Sequence, residues 1–100
     1  MNNRKKQLSE TEIKIMKYLW SANEPVMVSD IMQHFRQVHG KTYAASTVNT
    51  MLQRLVASGY AEKGSRLVGH SGYPYSYKVS REDYTRQQMK LYQRSCFDDS

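Results

Sequence analysis

The stretch Ser46–Lys63, STVNTMLQRLVASGYAEK, changes its hydrophobic period partway along. Gly59 is suited to end a helix, because glycine readily adopts the left-handed conformation that follows a helix C-terminus. From Tyr60 to Lys63 the pattern is that of a short strand. The sequence therefore predicts a helix over Ala45–Ser58 followed directly by a strand. The apolar stripe of this helix follows helical spacing and consists of Val48, Met51, Leu52, Leu55 and Val56.

Downstream, an alternating pattern predicts a second strand. The segment Gly64–Gly72 contains three glycines, at 64, 69 and 72. Apolar and polar residues then alternate along Tyr73–Val79. This two-residue period predicts a strand with one buried face. The residues of that face are Tyr73, Tyr75, Tyr77 and Val79. Two strands joined by a glycine-bearing loop form a hairpin, and Ser80 then caps a last helix.

Upstream, two further helices are predicted. Ser9 and Glu12 have the spacing of a capping box, which starts a helix that ends near Asn23-Glu24-Pro25. A second helix is predicted over about Val28–Val38, although Met27 is a poor capping residue. Val26 lies between them in a short extended piece.

The element order predicts a mainly α fold with a small β-hairpin. It is a winged helix-turn-helix of three helices and a two-stranded wing, followed by a C-terminal helix. Residues 1–7 are expected to form a mobile basic arm and residues 8–79 the winged-helix DNA-binding domain. Residues 80–100 are expected to form the C-terminal helix, which is a candidate dimerisation element.

Composition narrows the functional classes. The chain has 100 residues, a formal net charge of +6 and one cysteine. Positive charge favours an anionic partner such as nucleic acid. No apolar run approaches the length of a membrane helix or a signal peptide, so we expect a cytoplasmic protein without a membrane partner.

The polar face of the third predicted helix is the candidate DNA-reading surface. Its serine, threonine, asparagine, glutamine and arginine side chains can hydrogen-bond to base edges in the major groove of B-DNA. The alternative is the solvated face of an ordinary amphipathic helix. The winged-helix order and the absence of acidic residues from Ala45 to Ser58 favour DNA. The predicted reading set is Ser46, Thr47, Asn49, Thr50, Gln53 and Arg54.

A second group of residues is predicted to contact the DNA backbone or to lie in the wing. Such contacts set the register on the duplex without encoding sequence. The residues before the reading helix are Lys41, Thr42 and Tyr43, and those of the wing are Lys63, Arg66, His70, Ser71 and Lys78. Ordinary solvent-exposed loops are the alternative for both sets.

The sequence offers no metal, cofactor or catalytic site. His34 and His39 are five residues apart, a spacing that is not expected to place both on one helix face. His70 and Cys96 add no ligand cluster. No catalytic motif is present, so we expect no enzyme activity.

Leu8–Tyr84 resembles the penicillinase-repressor family of bacterial regulators, of the BlaI/MecI/CopY type. Three stretches carry the resemblance, and they are LSETEIKIMKYLW at Leu8–Trp20, STVNTMLQRLVASGYAEK at Ser46–Lys63, and YPYSYKVSREDY at Tyr73–Tyr84. The resemblance implies a repressor that binds a dyad operator as a homodimer, and by analogy an upstream sensor protease. Ala44 departs from the serine or similar cap that the family often has there.

The last predicted helix carries more apolar surface than a lone terminal helix should expose. We therefore expect it to pack against the body of the domain or against a second copy. The family resemblance favours a second copy, and packing only on its own domain is the alternative. The predicted dimerisation residues are Tyr84, Met89, Leu91 and Tyr92. Together with the residue patterns, the resemblance implies a transcriptional repressor that binds double-stranded DNA sequence-specifically. The alternative function is a winged-helix protein-interaction module that uses the aromatic hairpin and the last helix.

Overall fold

The computed structural model describes residues 8–66, 69 and 72–98, with side chains described as far as residue 90. Three helices, a two-stranded antiparallel sheet and a last helix follow one another along the chain, which confirms the predicted winged-helix fold. The elements are α1 Glu10–Ala22, α2 Val28–His39, α3 Ala45–Ala57, β1 Ala61–Lys63, β2 Tyr75–Tyr77 and α4 Arg81–Asp98.

The first helix begins at the predicted capping box. The backbone N–H of Glu12 donates to the Ser9 hydroxyl at 3.2 Å, and the Ser9 N–H donates to the Glu12 carboxylate at 2.9 Å. Leu8, directly before the cap, is buried in the core. Side chains thus accept from two of the backbone donors at the start of the helix, which fixes where α1 begins.

The second helix begins without a side-chain cap at Met27. The Met27 backbone N–H instead donates to the Asp30 carboxylate at 2.9 Å, which is half of a capping box. Gly40 ends the helix in the left-handed conformation, at φ 65°. Local chemistry therefore sets both ends of α2, in agreement with the predicted boundaries to within one residue at the C-terminus.

The third helix ends in a Schellman motif. The Gly59 N–H donates to the Val56 carbonyl at 3.0 Å, and the Tyr60 N–H donates to the Leu55 carbonyl at 2.9 Å. Gly59 has φ 85°, a conformation that side-chain-bearing residues seldom adopt. This tight end turns the chain from α3 directly into β1.

The hairpin pairs Ala61 with Tyr77 and Lys63 with Tyr75. Val26 adds a third extended piece, because it exchanges two 2.8 Å backbone hydrogen bonds with Tyr75. Tyr75 is buried, but Tyr73 lies before the strand and is 40% exposed. The prediction that Tyr73 belongs to the buried face was therefore wrong. Pro74 cannot donate a ladder hydrogen bond, and regular pairing begins only after it.

One hydrophobic core joins α1, α2, α3 and the sheet. Its members come from every one of these elements, so each helix presents an apolar side to the others. The largest fully buried side chains are Phe35, Ile15, Met16, Leu19, Ile31, Leu52, Leu55 and Val48.

The last helix is capped by Ser80, whose hydroxyl accepts a hydrogen bond from the Asp83 N–H at 3.1 Å. Near its start, the Tyr84 ring packs against Trp20 and Tyr60, with centroids 5.6 Å and 6.1 Å away. This aromatic contact attaches the first turn of α4 to the body. In the described part of the chain, every helix is too short or too polar to cross a bilayer.

Candidate nucleic-acid interface

The third helix has a buried side and an exposed polar side. Val48, Leu52 and Leu55 are at most 1% exposed and pack into the core. The six residues of the predicted reading set are all exposed, and they are Ser46, Thr47, Asn49, Thr50, Gln53 and Arg54. The core therefore fixes the helix in an orientation that turns all six side chains outward.

Two hydrogen bonds restrain this exposed face. The Thr50 hydroxyl donates to the Ser46 carbonyl at 2.9 Å within the helix. The Tyr75 hydroxyl lies 3.5 Å from the Asn49 side-chain oxygen, a long hydrogen bond that comes from the sheet. It leaves the Asn49 amide nitrogen, a donor group, unoccupied by this contact. The face is thus partly ordered before any ligand binds.

The charge of α3 suits a polyanion. Arg54 is its charged residue, and no acidic side chain occurs from Ala45 to Ala57. By contrast, the first turns of α1, α2 and α4 each contain a carboxylate, where the helix dipole stabilises negative charge. The first turn of α3 lacks both an acidic residue and a side-chain cap.

A groove of about 580 Å³ lies between the starts of α2 and α3 and the wing. Met27 and Met32 contribute apolar surface, whereas Ser46 and Asn49 contribute polar groups from α3. Tyr73 lines the groove from the wing side. The helix α3, which carries the predicted reading set, and the wing therefore border the same groove.

The residues before α3 divide into two kinds. Lys41 and Thr42 are exposed and available to a ligand. Tyr43 is half-buried, and its ring packs edge-on against Phe35 at 5.3 Å between centroids. Its ring therefore also belongs to the edge of the core.

The wing gathers two of its predicted basic residues around Tyr73. The Lys63 ammonium lies 4.3 Å from the centre of the Tyr73 ring, and the Arg66 guanidinium lies 5.7 Å from it. His70 and Ser71 fall outside the described residues, as does the predicted basic arm of residues 1–7. Tyr73 lies beside these two cations, although the alternating pattern predicted it to be in the buried face of the sheet. The neighbouring Pro74 signalled that regular strand structure would not reach it.

Lys78 is not brought together with the other wing residues. It follows β2 at the end nearest α3, where its N–H donates to the Tyr60 carbonyl at 2.8 Å. Lys63 pairs with the opposite end of β2. The Lys78 side chain instead lines a shallow groove with α4, next to Asp83 and Arg86. The hairpin register thus separates Lys78 from Lys63 and Arg66, the two basic residues gathered around Tyr73.

The two histidines of α2 lie closer together than their spacing predicted. Their ring centroids are 5.5 Å apart in an edge-on arrangement, so the interpretation that His34 and His39 lie on different faces was wrong. His39 is the last residue of α2, and its ring also packs beside Phe35. Burial, and to a lesser extent the charge of His39, lowers the pKa of His34. Among the residues described, His, Cys, Asp and Glu form no group of three or more that could hold a metal.

The predicted dimerisation residues differ in their surroundings. Tyr84 is half-buried against Trp20 and Tyr60 of its own chain, whereas Met89 is 56% exposed. The side chains of Leu91 and Tyr92 lie outside the described part of the structure. Tyr84 therefore contributes to the domain's own core, and Met89 remains open to a partner.

A winged-helix DNA-binding protein is the class that this fold and its exposed, acid-free third helix define. The chain belongs to the penicillinase repressor family, whose sequence model matches residues 8–100. Its functional class is accordingly that of a DNA-binding repressor. The family is one of transcriptional repressors rather than enzymes.

A solved structure has the same fold. The chain is similar to the monomeric form of Bacillus licheniformis BlaI, whose solution structure was determined in complex with the blaP half-operator. The TM-score is 0.59 and the identity 23%, and the match covers 78% of this chain and 88% of that one. A search of curated proteins found no match.

Proposed function

We propose that this protein represses transcription by binding a dyad-symmetric operator as a homodimer, with α3 of each copy in the major groove. The observation that carries the proposal is the two-sided character of α3. Its apolar side is locked into the core, and its outward side is polar and free of acid. A rigid helix with such a surface fits the width of the major groove.

The reading set divides into side chains with different preferences. Asn49 and Gln53 can each make paired hydrogen bonds to adenine, and Arg54 can do so to guanine or can bind a phosphate. Each well-formed paired contact contributes roughly 1–3 kcal/mol of discrimination against the wrong base. Ser46, Thr47 and Thr50 can bond to bases or phosphates. Sequence preference is thus expected to depend most on Asn49 and Gln53.

Affinity is expected to come largely from phosphate neutralisation. Lys41 and Thr42 lie before α3, and Lys63 and Arg66 lie in the wing, all of them exposed. Each phosphate that a basic side chain neutralises releases counterions, so binding weakens as salt rises. A slope near 0.9 per contact in log affinity against log salt is expected.

Dimerisation would place the two reading helices on successive turns of the duplex. Helix-turn-helix dimers bind half-sites about 34 Å apart or at multiples of that distance. The last helix, with Met89 exposed, is our proposed contact between copies. We place the repressor in the cytoplasm, without an enzymatic activity of its own, and by family analogy downstream of a sensor protease.

The test is a fluorescence-anisotropy titration of the full chain on the promoter of its own operon and on a random-sequence duplex. Gln53→Ala is expected to reduce the preference for the promoter duplex over the random-sequence duplex about tenfold, because one base contact is lost. Gln53→Glu is expected to weaken binding to both, because it places a carboxylate against phosphates.

The matched control is Gln37→Glu, which adds the same charge on α2 beside Tyr18 of α1. It is expected to change binding much less than Gln53→Glu. Equal effects of the two substitutions would refute the assignment of α3 as the reading helix. Absence of duplex binding by the unmodified chain would refute the proposed function and favour the protein-interaction module.

A further inference from the structure

We propose that Tyr73 is a positioning residue for DNA binding, whose ring holds Lys63 and Arg66 of the wing beside the groove that borders α3. This inference rests on the proposed function and deepens it. Tyr73 is uncharged and is not in the predicted DNA-contact set. Its ring nevertheless determines where the positive charges of Lys63 and Arg66 meet the phosphates of a duplex.

The first observation is the placement of the ring itself. Tyr73 is 40% exposed, although the alternating pattern predicts it to be buried like Tyr75. The ring is flanked by Pro74, which is buried, and by Gly72 at φ 95°. The backbone therefore turns this one tyrosine out of the sheet face.

The second observation is the contact of both cations with the same ring. Lys63 pairs with Tyr75, and Tyr73 is two residues from Tyr75, so Lys63 and Tyr73 are diagonal neighbours across the hairpin. The Lys63 ammonium is 4.3 Å and the Arg66 guanidinium 5.7 Å from the ring centre. Both distances are within the range in which a cation is attracted to an aromatic face. One ring thus orders two long side chains that would otherwise be free to move.

The third observation is the position of this cluster relative to α3. Tyr73 lines the same groove as Ser46 and Asn49 of the reading helix. When α3 lies in the major groove, a phosphate strand beside it meets the wing at this groove. Because Lys63 and Arg66 are already gathered there, less side-chain freedom is lost on binding. The ring therefore raises affinity without itself reading bases.

The experiment compares Tyr73→Phe and Tyr73→Leu on the promoter duplex and on the random-sequence duplex, at several salt concentrations. Phenylalanine keeps an aromatic face, so Tyr73→Phe is expected to bind within about twofold of the unmodified chain. Tyr73→Leu is expected to bind both duplexes about three- to tenfold more weakly, because leucine has no aromatic face and both cation–ring contacts are lost. Its salt slope is expected to fall by up to about one, the contribution of one phosphate contact.

A mutant cycle separates positioning from direct contact. In a Lys63→Gln, Arg66→Gln background, Tyr73→Leu is expected to have no further effect on binding. Lys17→Gln on the exposed surface of α1 serves as the charge-loss control, and thermal unfolding checks that each variant is folded. Wild-type affinity for Tyr73→Leu would overturn the proposal while leaving the repressor function intact. An undiminished loss in the double-glutamine background would also overturn it, because the ring would then contact DNA itself.

Discussion

The indole N–H of Trp20 donates a hydrogen bond to the backbone carbonyl of Val79 at 2.9 Å, across 59 residues of sequence. This bond joins the end of α1 to the end of the wing, directly before the cap of α4. The Trp20 ring also packs on Tyr84 and lies 5.6 Å from the Arg81 guanidinium. One side chain of the first helix thereby anchors both the wing and the last helix.

Trp20→Phe is expected to lower the free energy of unfolding by about 1 kcal/mol, because it removes this hydrogen bond while keeping an aromatic ring. Urea unfolding followed by far-UV circular dichroism measures the change. Tyr18→Phe is the matched control on the same helix: it removes a hydroxyl and keeps the ring that stacks on His34. If both substitutions lower the free energy of unfolding equally, the prediction that the Trp20–Val79 hydrogen bond stabilises the protein is wrong.

Ala44→Ser is expected to stabilise the protein by about 1 kcal/mol. Ala44 already has the extended backbone of a helix cap, at φ −70° and ψ 153°, but offers no side-chain acceptor. A serine hydroxyl there can accept a hydrogen bond from the first turn of α3. Thermal or urea unfolding without DNA gives the measurement. Ala57→Ser, at the other end of the helix, is expected to give no gain, and a similar gain there would contradict the capping explanation.

The stability of the protein is expected to fall as the pH drops below about 6.5, through His34. Burial first, and the charge of His39 second, hold the pKa of His34 below its ordinary value of 6.5. The unfolded chain therefore binds a proton at a pH where the folded chain does not, which favours unfolding as the pH falls. Above pH 6.5 this contribution is fully present, and it is lost as the pH falls toward the folded-state pKa.

His34→Gln is expected to flatten this part of the stability–pH profile, measured by urea unfolding from pH 7.5 to pH 5. His39→Gln removes the weaker of the two causes and is expected to flatten it less. The acidic groups beside His34 include Asp30, which lines the same shallow groove with Tyr18. A profile for His34→Gln as steep as that of the unmodified chain would show that another group carries the dependence.

Sequence patterns predicted the helices well, because their signals are local. The Ser9–Glu12 capping box, the apolar stripe of α3 and the conformational freedom of Gly59 each act within a few residues. The outward face of α3 could be deduced for the same reason, since a helix with one apolar stripe presents its other side to solvent. Most of the candidate reading surface was therefore accessible from spacing alone.

By itself, then, the sequence determined the order of the elements, the ends of the helices and the polar face of α3. The tertiary structure alone decided that Tyr73 faces solvent beside Lys63, that Lys78 lies away from the wing tip, and that Tyr84 packs on its own core. Cross-strand register and helix packing set these outcomes, and both depend on contacts between residues far apart in the chain. A local period reports which side of an element is apolar, but not which partner that side meets.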